Sequence, residues 1–324
     1  MLVAMIDKFW YTRHPLRWLL FPFALLYEFI SKCRRFFLQR FCQQPIPVPV
    51  IVVGNLTVGG VGKTPMVIAL AQQLCARGLR VGIVSRGYGA KVNVFPYEVT
   101  PDSKADEVGD EPLLLAKKTG CPVVIAPKRK HAVQYLLDTY QTQIVLSDDG
   151  LQHYAMARAM EIVVIDGTRG LGNGLCLPAG PLRESARRIK SADFVIVNGG
   201  EWPDAYRMEL VAGKFIQLMS GQVLDAFEFN EKVAAVAAIG NPQRFFTSLT
   251  KLGVQFKAYP FADHHRFQPE ELRFSEKRIV MTEKDAVKCQ AFATEHMYFL
   301  PVEAKVSDVF WKKFWSHKQL QDYV

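Results

Sequence analysis

Between Val50 and Pro65 the chain brings four glycines, Lys63 and Thr64 together in an order that suits the binding of a polyanion. The run Val50–Val53 predicts a buried strand, because it is short, apolar and rich in β-branched residues. A glycine-rich turn follows, and an apolar segment with helical character comes after Thr64. Glycines let successive backbone N–H groups turn towards a phosphate, and a helix N-terminus adds a partial positive charge. This order of elements is typical of the phosphate-binding loop of nucleoside-triphosphate enzymes.

The loop predicts both a phosphate contact and a magnesium ligand. We expect the Lys63 ammonium to reach the β- and γ-phosphates and the Thr64 hydroxyl to bind Mg²⁺. The residues assigned to the nucleotide are Gly59, Gly60, Val61, Gly62, Lys63, Thr64 and Pro65. The strict pattern has a glycine where this chain has Thr57. A glycine-rich loop without a ligand is the alternative, but the agreement of strand, Gly-Lys-Thr run and helix argues against it.

Acidic residues stand beside two further predicted elements. The apolar run Ile144–Ser147 predicts a strand ending in Asp148 and Asp149, and such a strand downstream of a phosphate loop usually carries the carboxylate that holds Mg²⁺. Asp110 precedes the start of a predicted helix, where an acidic residue is a common N-cap. From the residues alone, helix capping and a role as catalytic base both explain Asp110. His153 follows closely, and a lone histidine is more often structural than catalytic.

Two loops add cationic and polar candidates. Arg86 follows the predicted strand 80–85, and loops at the carboxyl ends of strands line the ligand crevice in open α/β sheets. A phosphate contact and a surface position explain Arg86 equally well. The segment 166–184 is rich in glycine and proline, and its hydrophobic residues argue against disorder. Irregular segments of this length in compact domains are usually functional when they are ordered.

Predicted strands and helices alternate along most of the chain. The strands are predicted at 50–53, 80–85, 123–126, 144–147, 162–165 and 194–197, and again at 233–239, 254–259 and 278–281. This alternation predicts an α/β fold with a mostly parallel, P-loop NTPase-like sheet, helices on both of its faces, and a smaller C-terminal α/β domain. The predicted boundaries are 1–44 for an N-terminal helix, 45–200 for the nucleotide-binding domain, 201–228 for a linker and 229–324 for the smaller domain.

The N-terminal segment is predicted to lie in a membrane interface. Residues 18–27 are uncharged and rich in aromatic residues, but Arg17 and Glu28 bound them closely, so the run is shorter than the about 20 residues that a spanning helix needs. Basic residues follow between positions 32 and 40. Apolar and aromatic positions beside basic residues fit an amphipathic helix whose cations face anionic headgroups. An amphipathic helix packed on the domain is the alternative.

Composition narrows the class of partner. The formal net charge of +9 indicates an anionic partner, which is nucleic acid, acidic lipid or a phosphorylated substrate. No recognised nucleic-acid-binding motif accompanies the charge, so we expect no nucleic-acid partner. The six cysteines are scattered without a C-x-x-C pair, which argues against zinc and against a disulfide framework, and favours a reducing compartment. A length of 324 residues favours two domains.

Taken together, the motifs resemble those of the tetraacyldisaccharide 4′-kinase family, which acts in the lipid A pathway of Gram-negative bacteria. In chain order they are Gly54-Asn55, Gly59-Gly60-Val61-Gly62-Lys63-Thr64-Pro65, Ser85-Arg86-Gly87-Tyr88-Gly89, Gly109-Asp110-Glu111-Pro112, Asp148-Asp149-Gly150-Leu151-Gln152-His153, Gly172-Asn173-Gly174, Leu177-Pro178-Ala179-Gly180-Pro181-Leu182-Arg183-Glu184, Asp263-His264-His265 and Thr282-Glu283-Lys284-Asp285-Ala286. They cover nearly the whole chain, and Thr57 agrees with the loop pattern of this family.

The resemblance implies a reaction and its partners. The γ-phosphate of ATP is transferred to the 4′-hydroxyl of a lipid A disaccharide 1-phosphate (tetraacyldisaccharide 1-phosphate), giving lipid IVA, with Mg²⁺ as cofactor. The location implied is peripheral or monotopic, on the cytoplasmic face of the bacterial inner membrane and in contact with the membrane surface. The sequence leaves the oligomeric state and the acyl-chain preference open.

The resemblance also implies roles for individual residues. Asp110 becomes the general base, and His264 becomes its orienting partner. The choice of His264 over the adjacent His265 rests on motif alignment. Lys63 acts on the phosphates. The implied metal ligands are Thr64, the pair Asp148 and Asp149, and Glu184, which share Mg²⁺ directly or through water, and which of the two aspartates contacts the ion directly stays open. Weaker candidates for contacts with the substrate are Arg86, Tyr88, Arg129, His153, Arg169 and Asn173.

Two other functions share part of this pattern. A membrane-associated P-loop ATPase switch of the partitioning or insertion type has a similar loop, but such proteins carry a lysine where this chain has Val58. A GTPase fits less well, because Lys284 stands next to Asp285 rather than two residues before it.

Overall fold

A computed structural model of the chain describes residues 9–12, 14–15 and 17–323, and within these the side chains of 227 and 322 are left aside. The part of the predicted N-terminal segment at residues 1–8, 13 and 16 lies outside the described residues. The described chain forms two β-sheets, one of nine strands and one of six, with helices packed against them.

The elements are numbered in chain order. The strands are β1 (Val50–Gly54), β2 (Val81–Ser85), β3 (Tyr97–Val99), β4 (Val123–Ile125), β5 (Ile144–Asp148), β6 (Met160–Asp166), β7 (Phe194–Asn198), β8 (Tyr206–Ala212), β9 (Phe215–Gln217), β10 (Val223–Leu224), β11 (Val233–Ala237), β12 (Phe256–Pro260), β13 (Ile279–Thr282), β14 (Met297–Leu300) and β15 (Val302–Val306). The α-helices are α1 (Arg17–Phe37), α2 (Lys63–Cys75), α3 (Ala105–Val108), α4 (Asp110–Thr119), α5 (Arg129–Tyr140), α6 (Pro242–Lys251), α7 (Glu283–Cys289) and α8 (Asp308–Trp315).

The nine-stranded sheet has the order β15-β8-β7-β6-β1-β5-β2-β4-β3, and only its two outermost pairings are antiparallel. Its central strand β1 is buried along its whole length, as expected for a parallel strand covered on both faces. Ile51 and Val53 pack in the core with α2 and α4, whereas Val50 and Val52 pack with α5. Helices therefore cover both faces of a mostly parallel sheet, which confirms the predicted fold class.

The six-stranded sheet has the order β10-β9-β14-β13-β11-β12. Its four strands β12, β11, β13 and β14 are parallel, and β9 and β10 add an antiparallel edge. This sheet with α6 and α7 is the smaller α/β unit that the alternation of elements predicted.

Sheet membership differs from the predicted boundaries in two places. Strand β8, inside the predicted linker 201–228, pairs with β7 of the larger sheet, and β15 returns from the far end of the chain to pair with β8. The reason is packing: Phe310 and Phe314 of α8 are fully buried in the core of the larger sheet. Which sheet a strand joins is decided by such distant contacts, and the division of the chain into domains stays a prediction.

Helix α1 lies on the larger sheet by one face only. Leu20, Ala24 and Tyr27 pack against the core that includes Leu56 and Leu182. Within the described residues, no helix combines the length and the apolar character needed to cross a bilayer.

Candidate active site

The phosphate-binding loop joins β1 to α2 at the crevice between the two sheets. Gly62, immediately before α2, has a φ of +100°, and a side chain there would collide with Asn198, whose amide donates to the Val61 carbonyl at 2.8 Å. Gly60 lies against Gly240, which follows β11 of the smaller sheet, and a Cβ atom on Gly240 would be 2.2 Å from the Gly60 nitrogen. Glycine is required at position 62 because φ is positive and the Asn198 side chain lies where a Cβ atom would be, and at position 240 because its backbone lies against that of Gly60. The loop is therefore fixed by strand β7 on one side and by the second sheet on the other.

Lys63, the first residue of α2, connects the loop to the end of β5. Its ammonium donates to Asn55 Oδ1 at 3.2 Å and lies 3.6 Å from Asp149 Oδ1. Asn55 in turn donates from its amide to the Thr57 carbonyl at 2.7 Å, which orders the loop from within. Thr64 is buried beside Lys63 in the first turn of α2. Sequence reasoning quoted Asn55 only as part of a motif, and its position directly after β1 was the signal that it would contact the loop.

Asp148, the last residue of β5, is an isolated buried carboxylate. It is 1% exposed, and neither of its carboxyl oxygens has a hydrogen-bond partner within the described residues. Burial and the negative charge of Glu111 raise the pKa of Asp148 to about 7. Leaving a buried carboxylate without a partner is costly, and hard oxygen donors of this kind are what Mg²⁺ prefers. The unpartnered oxygens therefore fit a cation.

Asp149 next to it is ionised and paired. Arg183 donates to both of its oxygens, at 3.2 and 3.1 Å. Burial opposes ionisation, but Lys63 and Arg183 together hold the pKa of Asp149 well below its usual range. Within the described residues, no group of three or more His, Cys, Asp or Glu side chains forms a metal site by itself. Mg²⁺ is commonly held by one or two carboxylates together with substrate phosphates and water, so this pair is sufficient for it.

Arg129 supports the turn that carries the two aspartates. It is buried, and its Nη2 donates to the backbone carbonyls of Asp148 and Asp149, at 2.6 and 2.9 Å. Burial lowers the pKa of Arg129 to about 10, which leaves it charged at neutral pH. Arg129 is therefore buried because it holds the backbone of this turn in place.

Asp110 and His264 meet across the two sheets. Asp110 begins α4 and is 7% exposed, and His264 lies in the loop after β12 with a φ of +58°. The Nδ1 atom of His264 is 3.0 Å from each carboxyl oxygen of Asp110. Burial works against ionisation of Asp110, but the hydrogen bond to His264 and the charge of Lys284 outweigh it and lower the pKa of this carboxyl strongly. The same hydrogen bond raises the pKa of His264.

The two adjacent histidines of this loop have different partners. His265 Nε2 is 3.0 Å from both carboxyl oxygens of Glu271, which lies in the short 3₁₀ helix Pro269–Leu272 that follows. The contact with Asp110 therefore belongs to His264, the residue chosen by motif alignment.

Glu184 lies in a buried cluster with Tyr154 and Arg188. The hydroxyl of Tyr154 donates to its Oε2 atom, and Arg188 Nε is 3.9 Å from the same oxygen. Its other oxygen, Oε1, is buried without a hydrogen-bond partner within the described residues. The assignment of Glu184 as a metal ligand stays a prediction, and the contacts of its side chain are with Tyr154 and Arg188.

Of the weaker candidates for substrate contacts, Tyr88 and Arg169 lie next to residues of the site, and no such contact is described for Arg86 and His153. The ring of Tyr88 lies 5.5 Å from the ring of His264, and Arg169 Nη1 donates to the Gly240 carbonyl at 3.0 Å, beside the phosphate loop. Arg86 is exposed at the end of β2. His153 is neutral at physiological pH, because burial and nearby arginines lower its pKa to about 4.

Asn173 is occupied inside its own loop, where its amide donates to the Ala179 carbonyl at 2.8 Å. Two further charged residues of the crevice were missed by sequence reasoning. Glu111 and Lys284 are joined by a hydrogen bond of 2.8 Å between α4 and α7. Both lie in motifs quoted from the sequence, which was the available signal.

The contact between Asp110 and His264 is expected to stabilise the folded protein over a limited range of pH. The folded pKa of Asp110 is lowered, so its contribution to the free energy of unfolding is present above the unfolded value of about 4 and is lost as the pH falls through the folded pKa. The folded pKa of His264 is raised, so its contribution is complete below the unfolded value of about 6.5 and is lost as the pH rises through the folded pKa. The coupling energy of the pair is expected to be largest near a pH of about 5.

A double-mutant cycle of Asp110→Asn and His264→Gln, followed by urea unfolding between about pH 3 and 9, measures this coupling. The same cycle on His265 and Glu271 is the matched control, and a smaller coupling is expected there because the Glu271 side chain is 37% exposed whereas that of Asp110 is 8% exposed. A coupling between Asp110 and His264 that does not vary with pH would contradict the prediction.

The fold and motifs of the chain match known proteins along nearly its whole length. The family model described as tetraacyldisaccharide-1-P 4′-kinase matches residues 16–319. The chain is 56% identical to the tetraacyldisaccharide 4′-kinase of Legionella pneumophila (strain Lens) over 318 residues, covering 98% of each chain. It is 50% identical to the protein of the same name from Haemophilus influenzae (strain 86-028NP) over 305 residues, covering 92% of this chain and 91% of that one.

Among solved structures, the chain is similar to LpxK from Aquifex aeolicus in complex with ATP. The TM-score is 0.74 at 28% sequence identity, with 92% of this chain and 98% of that chain covered. The family match, the two relatives and the shared fold agree, and the chain belongs to the tetraacyldisaccharide 1-phosphate 4′-kinase family.

Proposed function

We propose that the chain transfers the γ-phosphoryl group of ATP to the 4′-hydroxyl of a tetraacyldisaccharide 1-phosphate, giving lipid IVA. The family membership and the likeness to an ATP-bound relative support the reaction class. The observation that carries the assignment of residues is the contact of Asp110 with His264 at 3.0 Å, in the crevice that also holds Lys63. A carboxylate held by histidine beside a phosphate loop suits proton transfer from a sugar hydroxyl.

The phosphate side of the reaction depends on position and charge. Lys63 and the backbone N–H groups of residues 59–64 would hold the β- and γ-phosphates. Phosphoryl transfer leaves little covalent chemistry for a protein, so most of the rate gain comes from orientation and from neutralising charge. Lys63 can leave Asp149 for the phosphates because Arg183 also pairs with that carboxylate.

The buried aspartate pair fits Mg²⁺. Asp148 and Asp149, with the Thr64 hydroxyl, would hold the ion, and Glu184 would act on it through water. When bound, Mg²⁺ neutralises charge on the β- and γ-phosphates. Asp148 is the better placed of the two aspartates to hold the ion, because both of its oxygens are buried and unpartnered within the described residues.

On the acceptor side, Asp110 would accept the proton of the 4′-hydroxyl. His264 orients the carboxylate through Nδ1 and stabilises it by a charge-assisted hydrogen bond. A strongly basic group is not required, because in a loose transition state bond breaking at the γ-phosphorus runs ahead of proton removal. The position of the carboxylate beside the attacking oxygen is therefore the main contribution of the pair.

We further propose that α1 docks the protein on the cytoplasmic face of the bacterial inner membrane, as a peripheral or monotopic protein. One face of the helix packs on the sheet, and the opposite face leaves large apolar side chains exposed. The exposed residues on α1 and the turn after it are Trp18, Leu19, Phe23, Leu25, Leu26, Phe29, Ile30, Phe36, Phe37 and Phe41. A contiguous apolar face next to basic residues suits a bilayer with anionic headgroups, where an acylated substrate would lie.

The base assignment predicts a kinetic defect in Asp110→Asn. We expect kcat to fall by about 10²–10⁴-fold, the usual loss for a general base, with ATP affinity unchanged because the phosphate loop is intact. Transfer of label from ATP to detergent-dispersed tetraacyldisaccharide 1-phosphate in the presence of Mg²⁺ is the measurement. Glu107→Gln, an exposed acid-to-amide change just before α4, is the matched control and should behave as the wild type.

Near-normal turnover by Asp110→Asn would remove the assignment of the base. Consumption of ATP at the same rate with and without the acylated disaccharide would instead favour the ATPase switch, and would contradict the kinase proposal itself.

The docking proposal predicts that acidic residues on the outer face of α1 weaken membrane binding. Phe23→Asp and Leu26→Asp should each reduce partition onto vesicles containing anionic phospholipid by about tenfold or more, since burying one such side chain contributes about 1.5–3 kcal/mol. Vesicle co-sedimentation is the measurement, and Val309→Asp, at an exposed apolar position on α8, is the control. Equal partition of all variants would rule out α1 as the docking surface.

A further inference from the structure

The turn Thr282-Glu283-Lys284-Asp285 has no part in the mechanism above, and buried hydrogen bonds hold it in place. Asp285 is fully buried, and its Oδ2 atom accepts hydrogen bonds from the Ala238 amide at 2.9 Å and from the Thr282 hydroxyl at 2.6 Å. Thr282 also caps α7 by accepting from the Asp285 amide at 3.1 Å. These bonds fix the start of α7 to the end of β11, so the side chain of Lys284 extends from a rigid base.

Lys284 reaches three carboxylates that come from both sheets. Its ammonium is 2.8 Å from Glu111 Oε1 and 3.8 Å from Asp110 Oδ2, both at the start of α4. It is also 3.6 Å from Asp263 Oδ1, in the loop that carries His264. The ammonium therefore joins the segment that carries Asp110 to the segment that carries His264.

The charges around Lys284 make this contact more than a surface ion pair. The side chain is 17% exposed, and although burial works against the charged form, the carboxylates of Glu111, Asp110 and Asp263 together raise the pKa of Lys284, so it remains protonated. The other lysine of α7 that faces inward, Lys288, lies 2.6 Å from Asp285 and is held there. Besides Lys284, the cation at contact distance from Asp110 and Asp263 is His264, at 3.0 and 3.8 Å, and His264 makes no such contact with Glu111 within the described residues.

We propose that Lys284 is a positioning residue of the transfer step, which holds the Asp263–His264 turn against the start of α4 so that the imidazole meets the Asp110 carboxylate. This inference rests on the proposed roles of Asp110 and His264. It explains why a lysine stands in this turn, since Thr282 and Asp285 anchor the turn and Glu283 pairs with Lys118 of α4 at 3.1 Å.

The inference has a signature in the pH dependence of the reaction. Asp110 faces His264, Lys284 and the Glu111 carboxylate, with Lys288 further away, and His264 faces Asp110, Asp263, Lys284 and the ring of Tyr88. Removing a cation from this group raises the pKa of every neighbouring acid and base. Loss of Lys284 therefore moves the acidic limb of the pH–rate profile, which Asp110 sets, to higher pH, and it moves the basic limb, which protonated His264 sets, in the same direction.

The experiment compares Lys284→Met and Lys284→Arg with the wild-type full-length chain. We expect kcat for transfer to the acylated disaccharide to fall by about 10²-fold in Lys284→Met, the size of loss that follows a small misplacement of reacting groups, with the acidic limb displaced to higher pH. Lys284→Arg keeps the cation and should restore most of the rate and the limb. Lys277→Met is the matched control, because Lys277 pairs with Glu231 on the surface of the same sheet.

A purely structural ion cluster would give a different result. Lys284→Met would then lower the unfolding temperature and leave the pH–rate profile of the folded enzyme in place, which would overturn the inference. If Lys284→Met does not fold, Asp263→Asn supplies the test. It removes a negative charge beside His264 and should move the acidic limb to lower pH, and an unmoved limb would overturn the inference.

Failure of the proposed function gives its own result. A wild-type chain that transfers no phosphate to the disaccharide, or an Asp110→Asn variant with normal turnover, would reject the proposed function. Wild-type transfer and an inactive Asp110→Asn, together with an unaltered Lys284→Met, would reject only the role of Lys284.

Discussion

A buried carboxylate that stays ionised is the constraint on which the rest of this structure depends. Taking a carboxylate out of water costs several kcal/mol, whereas one charge-assisted hydrogen bond contributes about 1.5–3 kcal/mol. A single partner does not offset that cost for Asp110. The carboxylate has two cationic partners, His264 and Lys284, and both come from the smaller sheet. The ionisation of Asp110 therefore depends on the two sheets being held together.

Several other contacts hold the sheets at this distance. Asp166, at the end of β6, is 2.7 Å from Arg244 and accepts from the Asn241 amide at 3.2 Å, both at the start of α6. The backbones of Gly60 and Gly240 touch beside the phosphate loop. The loop, the base and the aspartate pair thus lie at one crevice, and each depends on contacts with the opposite side.

Local features of the site could be predicted from the sequence, because they depend on neighbouring residues. The phosphate loop, the strand ending in Asp148 and the helix beginning at Asp110 follow from short patterns of apolar residues, glycines and acids. Contacts between distant residues could not be derived in this way. The choice of His264 over His265 came from a family pattern, and its contact with Asp110 joins residues 154 positions apart.

The dependence on distant contacts also explains why the sequence did not place β8 and β15 in the larger sheet. Nothing in the local pattern of 206–212 or 302–306 shows which sheet these strands join, and burial of Phe310 and Phe314 decides it. Glu111 and Lys284 are charged residues whose importance comes from their partners rather than from their neighbours in the chain. The fold class was accessible from periodicity, whereas the electrostatics of the crevice required the three-dimensional contacts.

The most direct test of this account is an NMR titration of the His264 ring in the wild-type chain and in Asp110→Asn. If the two sheets hold this imidazole against an ionised carboxylate, its pKa lies above the ordinary value of about 6.5 in the wild type and falls when the carboxylate becomes an amide. A wild-type pKa at or below the ordinary value that does not change in the variant would contradict it.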